Sequence, residues 1–268
     1  MTARRVAALA DVHGNAPALE AVLADVERAA PDLVVFCGDL TWGSLPRETL
    51  ALVRALEIPA RFVRGNADRA VLELSAGAMD EPHPREHWML QQHADADLAL
   101  LSTFEPTVTV DVDGLGATCF SHGSPRSDEE CVTELTPSER VHEFMAGRHE
   151  RVVVTGHVHL QYGREVDGIR LVGPGSVGLP YHGAPGTAYW ALLGPGVDLR
   201  QTSYDVEQTV SRMRETGDPT VERIVELMLR PPSRDGSRGR RAPRLRRLDL
   251  QIDRTRAAQE SCSLDRIR

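Results

Sequence analysis

The chain has 268 residues, 41% of them hydrophobic, and a formal net charge of −8, enough apolar content for a sizeable core and unlike a collagenous or wholly disordered protein. All 31 cationic residues are arginine and none is lysine, which excludes a phosphate-loop lysine or a lysine Schiff base, since both need an ammonium group. Residues 231–268 hold 11 Arg against 5 Asp plus Glu, a balance of +6, so residues 1–230 carry −14 and would repel anionic ligands unless bound cations reverse the local field.

Arg4 and Arg5 precede an apolar run, Val6 to Ala10, that is too short for a secretory leader before Asp11-Val12-His13 intervenes. The run reads as a buried strand. Asn15 is placed to cap a helix to about Ala30, with Pro17 in the first turn and Leu19, Val22, Leu23 and Val26 on one face. Leu33 to Cys37 is a second strand, a helix runs from about Pro46 to Glu57, and Ala60 to Val63 is a third strand. This alternation predicts right-handed parallel crossovers. Polar, mostly helical sequence from Arg69 to Leu101, including Arg85, His87, Trp88, Gln91 and His93, then breaks it. Residues 69–104 are expected to be a helical, cap-like insertion over the carboxyl edge of the sheet.

Strands resume at Thr107 to Val112 and Ala117 to Phe120, and a helix at Pro137 to Gly147 precedes the strand Val152 to Val154. Hairpin strands follow near Leu160 to Val166 and Ile169 to Val172, then Ala188 to Leu193 and Val197 to Tyr204; together these are expected to form a second sheet packed on the first. Helices at about Val206 to Thr216 and Pro219 to Leu229 close the main domain, residues 1–230. From Pro231 the composition turns to Pro, Ser, Gly and Arg, which predicts a flexible basic tail with a short helix at Leu245 to Gln259. That tail lacks the interleaved aromatics that stack nucleic-acid bases. No run reaches the ~18 apolar residues of a membrane span. Cys37, Cys119, Cys131 and Cys262 show no CxxC spacing, a usage that suits a reducing cytoplasm.

Short motifs of metal-ligand type follow the apolar runs: Asp11-Val12-His13, Gly38-Asp39, Gly65-Asn66, Ser121-His122-Gly123 and Gly156-His157-Val158-His159. Singly each is weak, because Asp-x-His recurs by chance and Gly-Asp is usually a turn. Together they put two carboxylates, one carboxamide and four imidazoles just beyond strands, where open α/β sheets place their sites. Such a mixed set suits Mn²⁺, Fe or Zn²⁺ better than Ca²⁺, which prefers oxygen alone.

In this order the motifs resemble those of the calcineurin-like metallophosphoesterase superfamily. The later stretch Gly173-Pro174-Gly175-Ser176-Val177-Gly178-Leu179-Pro180 is similar to its bacterial YfcE-like phosphodiesterase branch. The resemblance covers about residues 5–205. It implies a four-layer αββα sandwich with a dinuclear metal site at the carboxyl edge of the sheets. Carried over, Asp11, His13 and His159 would bind one ion, Asn66, His122 and His157 the other, and Asp39 both. Asp39, Asn66 and His122 would also serve catalysis, and Mn²⁺ is the first expectation for the two ions. The reaction implied is hydrolysis of a phosphate ester, first a diester, by hydroxide bridging the ions. The partner would be a small phosphate ester or a nucleotide.

One position departs from the pattern. Where the superfamily commonly has a histidine after the motif asparagine, able to protonate the leaving oxygen, this chain has Ala67. Ala67 is the argument for a non-catalytic scaffold as the competing reading, whereas retention of every ligand argues for an enzyme; a nucleotide or protein phosphomonoesterase is the alternative among enzymes. Asp68 is read either as orienting a ligand histidine or as a helix cap. Arg64 and Arg69 are candidates for phosphate oxygens, and His182 for the pocket wall. His83, His87, His93, His142 and His149 read as solvated.

Overall fold

The computed structural model describes residues 2–78 and 82–232; the expected tail helix and nearly all of the basic tail lie outside them. In chain order the elements are β1 (Thr2–Ala3), β2 (Val6–Leu9), α1 (Ala16–Ala29), β3 (Leu33–Cys37), α2 (Pro46–Arg54), β4 (Ala60–Val63) and α3 (Asn66–Ser75). Next come α4 (Pro84–Gln91), α5 (Asp95–Leu101), β5 (Thr107–Val112), β6 (Gly116–Ser121), α6 (Ser138–Met145) and β7 (Val152–Thr155). The last are β8 (Gln161–Val166), β9 (Ile169–Pro174), β10 (Thr187–Leu193), β11 (Val197–Ser203), α7 (Val206–Arg214) and α8 (Val221–Leu229).

Two mixed sheets result, one ordered β11-β10-β2-β3-β4 and the other β1-β5-β6-β7-β9-β8. Strands β2, β3 and β4 run parallel, as do β6, β7 and β9. Strands β2 and β3 are apolar without interruption because both their faces are buried. Val6, Ala8, Leu33, Val35 and Cys37 meet Val110, Phe120, Val152, Val154 and Val172 between the sheets. The alternate residues Ala7, Leu9, Val34 and Phe36 face outward and pack with Leu19, Val22, Val26, Leu50 and Val71 of the helices. On the far side, Val141, Phe144 and Met145 of α6 cover Val153 and Leu171. The layers are therefore α, β, β, α.

The two late hairpins do not form a sheet of their own, contrary to the expectation from their sequence. Strand β9 pairs with β7, whereas β10 pairs antiparallel to β2 in the opposite sheet, with Ala191 opposite Ala8. Each hairpin covers a strand that would otherwise leave a ladder of backbone groups unpaired, and the outermost strands β8 and β11 carry the exposed polar residues. The pair Thr2–Ala3 adds a short parallel strand beside β5 that sequence reading does not anticipate. Among the described residues no helix is long and apolar enough to cross a membrane, and Cys37, Cys119 and Cys131 are buried.

Candidate metal centre

Every strand that ends in a motif ends at the same edge of the sandwich. Asp11 and His13 follow β2, Asp39 follows β3, and Asn66 opens α3 after β4. His122 follows β6, while His157 and His159 follow β7, so the two sheets each supply part of the set. The His157 amide ties them together, lying 3.1 and 3.0 Å from the two carboxylate oxygens of Asp11.

The backbone there is unusual. Of seven non-glycine residues with positive φ among those described, five are Asp11 (54°), His13 (47°), Asp39 (54°), His157 (68°) and His159 (56°). A left-handed conformation costs a side-chain-bearing residue on the order of 1 kcal/mol or more, so it persists only where surrounding bonds enforce it. Those bonds are present: the Asp11 amide donates to Gly38 O (3.1 Å), the His13 amide to Asp39 O (2.9 Å), and Ser176 Oγ and the Gly178 amide both donate to Asp11 O (2.7 and 3.0 Å). The glycine-rich loop after β9 thus clamps the Asp11 turn. Gly178 is required for that approach, since a Cβ there would lie 1.8 Å from Val12 O.

Asp39 faces both groups of imidazoles. Its Oδ2 is 3.6 Å from His13 Nε2, and its Oδ1 is 3.4 Å from His122 Nε2. On one side His13 Nε2 and His159 Nε2 are 3.1 Å apart, with Asp11 Oδ1 3.5 Å from the latter. On the other, His122 Nε2 lies 2.9 Å from Asn66 Oδ1 and 3.2 Å from His157 Nδ1. The histidine partners decide what belongs between them. His13 Nδ1 is 3.1 Å from Trp42 O, His159 Nδ1 is 2.6 Å from Leu179 O and His122 Nδ1 is 2.9 Å from Cys37 O. Carbonyls only accept, so each Nδ1 carries the hydrogen and a neutral ring has its lone pair on Nε2. Two lone pairs facing each other at 3.1 Å need a cation between or beside them.

The electrostatics agree. Burial lowers His159 well below its ordinary value, with His13 adding to the effect, and burial likewise lowers His13 despite Asp39; His122 and Arg85 reinforce that shift. Both rings are thus held neutral, the form in which an imidazole can bind a metal ion. Burial, then His122, brings His157 down to about 4. At His122 burial opposes charge, yet Asp39, its hydrogen bond and Asp11 together push the imidazole up to about 10. The field at that ring therefore favours positive charge. Burial works to raise both aspartates and succeeds at Asp11; at Asp39 the surrounding histidines, led by His122, hold the carboxyl well below the usual carboxylate range. Ligand atoms of Asp11, His13 and His159, and separately of Asp11, Asp39 and His122, lie within 4.8 Å of one another, close enough to hold a metal ion.

A family model described as the calcineurin-like phosphoesterase superfamily domain matches residues 5–193. The chain belongs to that superfamily. It is a hydrolase of phosphoric ester bonds in a family that binds divalent metals. It is similar to a metallophosphoesterase of Sphaerobacter thermophilus, at 26% identity and a TM-score of 0.64, covering 83% of this chain and 98% of that one. A hypothetical protein, PH1004, of Pyrococcus horikoshii shares the fold at 18% identity and a TM-score of 0.71, over 87% of this chain and 100% of its own. An uncharacterized protein, MJ0912, of Methanocaldococcus jannaschii is 22% identical over 80% of this chain and 93% of its own length.

Some other residues of this metallophosphoesterase fall as their sequence suggests, and some do not. Asp68 caps α3 through the Gly65 amide (2.9 Å) and orients no histidine. It instead accepts the amides of Asp39 and Leu40 at 2.9 and 3.0 Å and so fixes the Asp39 turn. Burial, then Asp39, raises its pKa to about 7. Arg69 is held by Asp128, Glu73 and Glu129 at 2.8, 2.9 and 2.7 Å, away from the centre. Neither Arg64 nor His182 lines the cleft; the His182 ring packs on Tyr189, with centroids 4.2 Å apart, and its neighbour Tyr181 lines the cleft instead, stacked on His159. His93 is buried, bonding Met89 O and Thr41 Oγ1 at 2.9 and 3.0 Å, while His87, His142 and His149 are exposed.

Sequence reasoning missed the cleft wall itself. Trp42, Arg85, Tyr181, Met213 and Ile224 line the space beside His13, Asp39, Asn66, Ala67 and His159. Trp42 lies three residues past Asp39, a usable signal. Nothing local marks Met213 and Ile224, which reach the cleft because α7 and α8 pack on Leu45 and Leu179.

Proposed function

We propose that this metallophosphoesterase hydrolyses phosphate esters with two divalent ions at this centre, Mn²⁺ first and Fe or Zn²⁺ as alternatives. Asp11, His13 and His159 would hold one ion, Asn66, His122 and His157 the other, and Asp39 would stand between them. The observation that carries the reading is the opposed pair of buried imidazole lone pairs on His13 and His159, with Asp39 reaching both histidine groups. When bound, two such ions supply Lewis-acid charge on phosphate oxygens and lower the pKa of a water. The chain's own part is to fix the ligands: carbonyls set the imidazole tautomers, Asp68 and the Ala67 amide orient Asp39, and Ser176 and Gly178 pin Asp11.

The resemblance points to diesters as the ester class, whereas Arg85 in the cleft wall favours monoesters. Turnover by Mn²⁺-loaded protein of mono- and diester panels, cyclic nucleotides and dinucleotides included, tests the function. Abolition by a chelator and restoration by Mn²⁺ is the expected result; turnover that survives complete metal removal would sink the proposal. Residues 1–230 are taken as the catalytic unit, with the helices of 69–104 supplying one wall, in a protein of the cytoplasm. Removing residues 231–268 is therefore expected to leave turnover of a nitrophenyl ester nearly unchanged. A loss above roughly tenfold, about 1.4 kcal/mol in the barrier, would place that segment at the site.

Ala67 lines the cleft, 2% exposed, with its amide 2.8 Å from Asp39 Oδ1. Its methyl group offers no proton to a leaving oxygen. Ala67→His is expected to raise turnover of alkyl esters by roughly 10-fold or more while changing nitrophenyl esters little, because an acidic leaving group needs no general acid. Equal changes on both at matched metal content would mean that another group already performs that step.

A further inference from the structure

Arg85 is the arginine among the described residues that line the cleft, and it comes from the first turn of α4 rather than from any metal motif. It is 4% exposed, with its guanidinium carbon 5.8 Å from the centre of the Trp42 ring and its Nη2 4.0 Å from Asp218 Oδ2. Asp218 is itself fixed: its Oδ2 accepts from Ser44 Oγ at 2.8 Å, and its Oδ1 from the amide and hydroxyl of Thr220 at 2.8 and 2.9 Å. Three separate segments, the turn after β3, α4 and the link between α7 and α8, thus position one permanent cation in the wall that Asp39, Asn66 and Ala67 share.

A guanidinium in that wall offers a permanent positive charge and a planar fork that matches the oxygens of a phosphoryl group entering the cleft. We propose that Arg85 binds the substrate's phosphoryl oxygens and selects a terminal, doubly charged phosphate over a diester. This rests on the hydrolase reading above and narrows its substrate class to small phosphomonoesters. A monoester carries close to two negative charges near neutral pH. A diester has one, and its second substituent would place a neutral ester oxygen and added bulk in a cleft lined by Trp42, Tyr181, Met213 and Ile224. Arginine does not release a proton at working pH, so Arg85 contributes charge and orientation, not the acid that Ala67 lacks.

The test is calorimetric binding of inorganic phosphate and of dimethyl phosphate to Mn²⁺-loaded protein, with metal content measured on each sample. Wild type is expected to bind phosphate more tightly than dimethyl phosphate. Arg85→Ala should weaken phosphate binding by roughly 10- to 100-fold and narrow that preference, with Arg85→Lys in between because it keeps the charge but loses the fork. Metal content should not change. Equal wild-type affinity for the two anions, or a preference unmoved in Arg85→Lys at full metal content, overturns the proposal; the wild-type comparison decides it even if Arg85→Ala fails to fold. Arg85-dependent phosphate binding in a protein that turns over no ester would uphold Arg85 and sink the hydrolase reading instead.

Discussion

Asp39→Asn is expected to lower kcat/KM by roughly 10³-fold, about 4 kcal/mol of barrier, the largest loss from changing any single ligand. The carboxylate is 3.6 Å from His13 Nε2 through one oxygen and 3.4 Å from His122 Nε2 through the other, so one substitution affects both groups of ligands. An amide removes negative charge between two cations. Its nitrogen also cannot accept the Ala67 amide hydrogen that Asp39 Oδ1 takes at 2.8 Å. Metal content should fall below two ions per chain. Steady-state turnover of a nitrophenyl ester alongside elemental analysis checks both; wild-type turnover with two bound ions would remove Asp39 from its place between them.

Gly65→Ala is expected to be damaging as well, although it replaces no ligand. A Cβ at Gly65 would lie 2.1 Å from Asp39 Oδ1 and 2.4 Å from the Asp39 amide nitrogen, and neither atom can retreat while Asp68 holds that turn. Overpacking of this kind costs about 3 kcal/mol, and a displacement near 1 Å at a reacting centre costs roughly 10²-fold in rate. Thermal unfolding should drop by about 6–12 °C. Gly163→Ala in β8, where a Cβ would meet nothing within 4 Å, is the control and should shift stability by less than about 0.5 kcal/mol. A Gly65→Ala protein with unchanged turnover would mean that the Asp39 turn tolerates movement.

Much of this was legible from local sequence. Apolar runs such as Leu33–Cys37 mark strands buried on both faces, and the ligand motifs lie where those runs stop, so the elements and the cluster of seven side chains are readable one segment at a time. Pairing is not local. The hairpins of β8–β9 and β10–β11 look alike in sequence yet join opposite sheets, because the choice depends on which strand would otherwise be left unpaired. Backbone conformation is equally hidden: nothing in the letters of Asp11, His13, Asp39, His157 and His159 announces five left-handed residues. Asp68 was ambiguous for the same reason, since its role depends on Asp39 and Leu40, far away in sequence. Arg85, Met213 and Ile224 belong to the cleft only through tertiary packing.

The central claim is that two ions sit on either side of Asp39. Anomalous diffraction from crystals of the Mn²⁺-loaded protein tests it most directly. The account predicts two peaks roughly 3.5–4 Å apart, one among Asp11, His13 and His159 and one among Asn66, His122 and His157, with Asp39 reaching both. A single peak, or manganese found only at exposed acidic side chains while His13 and His159 still face each other unbridged, would contradict it.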